Sequence, residues 1–271
     1  MRAQSVIEQL HSSDGTAIAV ERSGEGKPVV LVDGALGSRL FGLNATLAPL
    51  LARHFAVFHY DRRGRGASGD TLPYHVVFEI DDLATVIDSI DGSPLVFGAS
   101  SGGNLALRTA ASGVPMAKLA LWQPKLIAGD RRPRLPREYF AHLDELIDGG
   151  HRGDAIEYFM TIAAGMPAES VAPMRSMPTW PALEAAAHTL AYDRAVVVES
   201  TAGDGLSVER LSWVTTPTLV LDGGTTRWVT DAADELAAAL PDARRETIAG
   251  RGYDVDAEAL AAVLLDYFGS D

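Results

Sequence analysis

The sequence predicts an α/β fold: a mostly parallel central sheet flanked by helices, with a helical segment inserted late in the chain. Three observations carry this. Short apolar strands alternate with helical runs through the first 124 residues. Val29-Val30-Leu31-Val32 is apolar at every position, as a strand covered on both faces must be. And Leu95-Val96-Phe97-Gly98-Ala99 runs straight into Ser100-Ser101-Gly102, a Gly-x-Ser-x-Gly turn. Small residues at Gly98 and Gly102 let such a strand-to-helix turn close without clashes and put one serine at its apex.

Residues 4–11 and 16–22 form a hairpin about Asp14-Gly15. Val29–Val32 and Ala56–Tyr60 are short strands, and residues 41–53 between them hold a helix. Leu83, Val86, Ile87 and Ile90 fall at i, i+3, i+4 and i+7, one face of a helix. The strand that carries Ser100 comes next, then a helix from about Asn104 to Ser112 and a strand at Lys118–Trp122. Strands that alternate with helices imply parallel pairing through crossover connections.

The pattern changes after Pro124. Residues 127–213 hold helical signals: Leu143/Leu146/Ile147, Ile156/Phe159/Met160/Ala163 and the alanine-rich stretch Pro181–Leu190. Pro167, Pro173, Pro178 and Pro181 set helix starts or bends there. The sheet resumes at Pro217–Leu221. A helix with Ala233, Leu236, Ala237 and Leu240 on its buried face follows, then a short strand near Glu246–Ala249 and a closing helix built on Leu260, Val263, Leu264 and Phe268.

Composition bounds the function. At 271 residues the chain suits one large domain with an inserted subdomain. A net charge of −13 argues against nucleic acid as a partner, since phosphates demand a basic surface. With no cysteine, disulfides and thiolate chemistry are excluded. No apolar run approaches the ~20 residues of a membrane helix, and the N-terminus has no apolar signal core. The expectation is a cytoplasmic protein, monomer or homodimer, with a small-molecule substrate, no membrane partner, no metal and no cofactor. Gly64-x-Gly66-x-x-Gly69 spells a dinucleotide fingerprint. Asp61-Arg62-Arg63 intervene after the strand, however, and Asp70-Thr71-Leu72-Pro73 follows where an apolar helix face should begin, so nucleotide binding is not expected.

Four segments, in order, resemble the α/β-hydrolase superfamily over essentially the whole chain: Val32-Asp33-Gly34-Ala35-Leu36-Gly37-Ser38, Tyr60-Asp61-Arg62-Arg63-Gly64-Arg65-Gly66, the turn around Ser100, and Pro217–Gly223. The resemblance implies a core domain of residues 1–126 and 214–271 beneath a helical cap of residues 127–213. It implies Ser100 as nucleophile and the amides of Ala35 and Ser101 as oxyanion donors.

The remaining catalytic positions depart from the family pattern. The family's histidine lies in the loop after the last strand, and here Ala249-Gly250-Arg251-Gly252-Tyr253-Asp254 puts Tyr253 in that slot. A phenol with a pKa near ~10 is a poor proton acceptor at neutral pH but a good hydrogen-bond donor. The positions for an orienting carboxylate read Gly224-Thr225-Thr226-Arg227 and Trp122-Gln123-Pro124. Asp222, at its strand end, is a candidate for the orienting carboxylate but better suits accepting loop amides. Asp33 stands where many relatives carry histidine, as a proton acceptor or a hydrogen-bond anchor beside the oxyanion loop. Trp122, Gln123, His188 and Trp228 complete the expected substrate contacts, His188 reaching down from the cap. Tyr139, Phe140, Phe159, Met160 and Trp180 are further candidates for the cavity wall.

The sequence thus supports an enzyme of this fold that acts on an apolar, oxygenated small molecule by cyclase-, isomerase- or lyase-type acid/base chemistry, with Asp33, Ser100 and Tyr253 as the catalytic set. Placing it in secondary-metabolite tailoring follows from the resemblance alone. Two alternatives stay open: a serine esterase, lactonase or thioesterase with an unconventional base such as His188, and a non-catalytic small-molecule-binding protein.

Overall fold

A computed structural model describes residues 6–124, 135–199, 208–251 and 255–270. Strands β1 (Val6–His11), β2 (Ala17–Ser23) and β3 (Pro28–Val32) lead to α1 (Leu43–Leu51), β4 (Ala56–Tyr60) and α2 (Val76–Asp88). Then come β5 (Leu95–Ala99), α3 (Ser101–Ala111) and β6 (Lys118–Trp122). The inserted helices are α4 (Tyr139–Asp148), α5 (Arg152–Tyr158), α6 (Ala168–Val171), α7 (Trp180–Ala186), α8 (Leu190–Glu199) and α9 (Val208–Leu211). The chain closes with β7 (Thr218–Gly224), α10 (Arg227–Ala239), β8 (Ala243–Arg251) and α11 (Ala257–Gly269).

The eight strands form one sheet in the order β1-β2-β4-β3-β5-β6-β7-β8. The β1–β2 and β2–β4 pairs are antiparallel, and the rest are parallel. The unalternating apolar strands are explained by a core on each face. From β3, Val30 and Val32 pack with Leu83, Val86 and Leu105 on one side, while Val29 and Leu31 pack with Leu47, Leu260 and Phe268 on the other. The inserted helices build a third cluster, to which Leu36 from the loop after β3 belongs.

Several boundaries differ from the sequence expectation for identifiable reasons. Helix α3 starts at Ser101 rather than Asn104, because the Ser100 carbonyl already accepts from the Gly103 and Asn104 amides. Strand β8 is longer than the apolar signal at Glu246–Ala249. It is the sheet's edge, and its mostly exposed polar residues leave no hydrophobic trace. Ile90 and Leu240 are buried as expected but lie just past the ends of α2 and α10. The Pro181–Leu190 run is not one helix: α7 gives way to a 3₁₀ turn at Ala187–Thr189 before α8 begins. Phe159–Ala163 form a π-helical turn, in which the Ala164 amide donates to the Phe159 carbonyl at 3.0 Å.

Residues 4 and 5 of the expected first strand and the expected 126/127 boundary lie outside the described residues. Val196, Leu211 and Val214 join the core above the sheet, so the last inserted helices pack into the main domain as well as onto their own cluster. Among the described residues no helix is long and apolar enough to cross a membrane.

The elbow depends on close backbone approach. A Cβ at Gly102 would collide with the carbonyl oxygens of Val32 and Asp33, and one at Gly98 would sit 2.7 Å from the Gly102 carbonyl oxygen. Gly102→Ala is expected to destabilise the protein by about 3 kcal/mol, read as a shift of the urea midpoint at constant slope.

Candidate active site

Among the described residues, three non-glycine residues have positive φ: Leu36 (60°), Ser100 (53°) and Gln123 (45°). Each follows the carboxyl end of one of three neighbouring strands, β3, β5 and β6. Ligands of open parallel sheets bind at that edge, and held backbone strain clusters at functional sites. Ser100 is fixed there by its amide, which donates to the Trp122 carbonyl at 2.8 Å. Gly34 lies against it, its missing Cβ position 3.2 Å from the Ser100 Cβ.

Ala35, Ser100 and Ser101 form the floor of a cavity beneath the inserted helices. Tyr139, Phe140, Phe159 and Leu190 give it apolar walls, and among the described residues Asp193 and Arg194 are its charged ones. The π-helical turn contributes Phe159 and Ala163 to this wall. Among the described residues, the amides of Ala35 and Ser101 donate to no acceptor, so both remain free to bind an oxygen. Met160 and Trp180 are buried in the inserted helices' own core instead of lining the cavity.

The other expected residues occupy different surroundings. Asp33 is buried and is not among the described lining of the cavity; its carboxylate is hydrogen-bonded to His59 Nε2 at 2.6 Å and lies against Gly37. Burial pushes its carboxyl up against the lowering pull of the His59 ring. The Trp122 side chain packs in the core below the sheet, and only its carbonyl serves the elbow. Gln123 is buried, its backbone N–H donating to the Leu221 carbonyl at 2.9 Å. Trp228 sits half-buried on α10, outside the described cavity lining. Tyr253 lies outside the described residues.

All seven histidines of the chain are described, and none is hydrogen-bonded to Ser100. His188 is held at Nε2 by Asp70 (3.0 Å) and at Nδ1 by the Ala185 carbonyl (3.1 Å), and it does not line the cavity. Asp222 is saturated: it accepts from Thr230, Thr247, Arg245 and the Gly224 amide. Burial would raise its carboxyl, but these donors outweigh burial and hold it below its ordinary value.

A charged network that sequence reasoning missed underlies the site. Arg62 forms a two-pronged pair with Glu79 of α2, at 2.6 and 2.9 Å, and donates to Asp193 at 2.8 Å. Arg65 donates to the other Asp193 oxygen at 2.7 Å, and the Ser101 hydroxyl donates to Asp193 at 2.7 Å. Arg62, Arg65, Glu79 and Asp193 are all buried. Burial alone would raise the Asp193 carboxyl, but Arg65, Arg62 and the Ser101 hydroxyl outweigh it and keep Asp193 ionised. The available signal was the run Asp61-Arg62-Arg63-Gly64-Arg65 at a strand end, since three guanidiniums there require buried counter-charges.

The model of the α/β hydrolase family matches residues 29–263. The chain belongs to that family. It is similar over 96% of its length, at 48% identity and a TM-score of 0.87, to the whole chain of an α/β hydrolase from Sphaerobacter thermophilus. An esterase from a Rhodococcus species is 20% identical, with a TM-score of 0.72, covering 97% of this chain and 98% of its own. The N-formylmaleamic acid deformylase of Pseudomonas putida is 19% identical, with a TM-score of 0.70, over 96% of this chain and all of its own. At those identities both share the fold alone. Comparison with curated proteins gives no match.

Asp193→Ala leaves two buried guanidiniums short of a carboxylate and is expected to cost about 3–5 kcal/mol at pH 7. Because the Asp193 carboxyl is depressed in the folded state, its stabilisation is complete above about pH 4 and lost as pH falls through the depressed value. The deficit of the variant, measured by urea unfolding across pH, therefore shrinks on acidification below about pH 4. The exposed pair Arg194–Asp144 provides the contrast: Arg194→Ala should cost less than about 1 kcal/mol.

Proposed function

We propose that this α/β hydrolase binds an apolar small molecule through a carbonyl oxygen and transforms it by polarising that carbonyl, without a conventional acyl-enzyme. One observation carries the reading. Ser100 and two unengaged amides face an apolar cavity, while no histidine of the chain is hydrogen-bonded to the Ser100 hydroxyl. Fixed amide dipoles stabilise charge that develops on a carbonyl oxygen whatever the next step is. A serine hydroxyl, by contrast, is a weak nucleophile unless a base takes its proton.

In this reading the Ala35 and Ser101 amides hold the carbonyl oxygen, and Ser100 and Tyr253 donate hydrogen bonds to substrate oxygens. Isomerisation, elimination and carbanion cyclisation next to a carbonyl pass through an enolate-like state, the α-proton passing to solvent water and the charge gathering on the oxygen that this cradle holds. Asp33 serves as an anchor for the oxyanion loop rather than as a proton shuttle, since its carboxylate is taken up by His59. Asp193 is the described carboxylate on the cavity wall.

The strained Ser100 backbone and the fold shared with an esterase favour a second reading, a serine esterase with an unconventional base. A fluorophosphonate separates the two by intact-protein mass spectrometry. The expected result is an unlabelled wild-type protein under conditions that fully label a conventional serine esterase. In parallel, Ser100→Ala should weaken binding of acetophenone about two- to tenfold, the worth of one hydrogen bond. Prompt phosphonylation of Ser100 would overturn the reading in favour of the esterase.

A further inference from the structure

We infer that Arg65 is a positioning residue for the Ala35 amide, and that Asp193 of the inserted helices holds it to that task. The inference rests on the carbonyl-cradle reading above. In a trans peptide the carbonyl and the following N–H point in opposite directions. Arg65 Nη1 donates to the Gly34 carbonyl at 2.6 Å, so the N–H of the same peptide unit, that of Ala35, is turned the other way. Ala35 lines the cavity, and its amide has no acceptor among the described residues. A cation on the carbonyl oxygen also polarises the peptide and makes its N–H a stronger donor.

The preceding peptide is held in the same manner, with Arg62 Nη1 donating to the Asp33 carbonyl at 3.1 Å. Two consecutive carbonyls are thereby clamped by guanidiniums just before Leu36, whose φ of 60° is unfavourable for a branched side chain. Asp193 ties the clamp together. One of its oxygens meets Arg65, while the other meets Arg62 and the hydroxyl of Ser101, the residue that supplies the second free amide. A single carboxylate on α8 therefore touches the residues that set both donors.

The test reads the carbonyl directly, as the infrared stretch of acetophenone labelled with ¹³C at its carbonyl and bound to the full-length protein. The wild type should lower that stretch relative to water. Arg65→Met, which keeps the side-chain length and removes every donor, should lose about half of the lowering, one of two amide donors being misaimed. Arg65→Lys, which returns a charged donor, should restore most of it. A merely structural role would change the thermal midpoint and leave the stretch of the folded variant alone. Should Arg65→Met fail to fold, Arg65→Gln, a neutral donor, should give an intermediate stretch. A folded Met or Gln variant with the wild-type stretch would overturn the role of Arg65 and leave the cradle standing. A wild-type protein that leaves the stretch at its aqueous value would overturn the cradle itself and this inference with it.

Discussion

The structure turns on the ion pairing of Arg62 and Arg65 with Glu79 and Asp193. Each guanidinium is out of water, and taking one there costs several kcal/mol unless a carboxylate meets it with good geometry. The partners come from three parts of the chain: the loop after β4, helix α2 and helix α8. Satisfying them fixes the helices above the sheet and the loop after β3 in one arrangement. The apolar clusters provide most of the driving force for folding, but they are tolerant of sliding, whereas paired charges are not.

The site inherits its geometry from that constraint and from the elbow. Gly98 and Gly102 allow α3 to approach β3 closely enough that Ser100, Ser101 and Ala35 share one cavity floor. The positive φ at Leu36, Ser100 and Gln123 costs about 1–3 kcal/mol each and persists because the surrounding hydrogen bonds over-determine it. What results is a polar, preorganised floor beneath aromatic walls.

The strands, the elbow and the helical insertion were legible because each depends on neighbours in sequence: apolar periodicity, two small residues around a serine, prolines between helices. The Arg62–Asp193 pair joins residues 131 apart, and no local pattern announces it. Asp33 shows a different limit. Its position beside the oxyanion loop could be read, but Asp33 lies just past the end of β3, and its partner His59, 26 residues further on, belongs to β4, a strand that sequence alone does not place beside it. The outer ends of β8 and the π-helical turn left no signal either, the first because most of their residues are polar and exposed, the second because one extra residue per turn disturbs a periodic pattern too little to notice.

The Ser101–Asp193 contact bears on how a molecule gets in. Lifting the inserted helices as one rigid flap would take Asp193 from two sequestered guanidiniums, leaving Arg62 with Glu79 alone and Arg65 without its carboxylate, an electrostatic toll far above thermal energy. Helix α8 is accordingly the doorpost of this enclosure. The widened turn at Phe159–Ala163, by contrast, meets the interior through an aromatic ring that can pivot without breaking a charge pair.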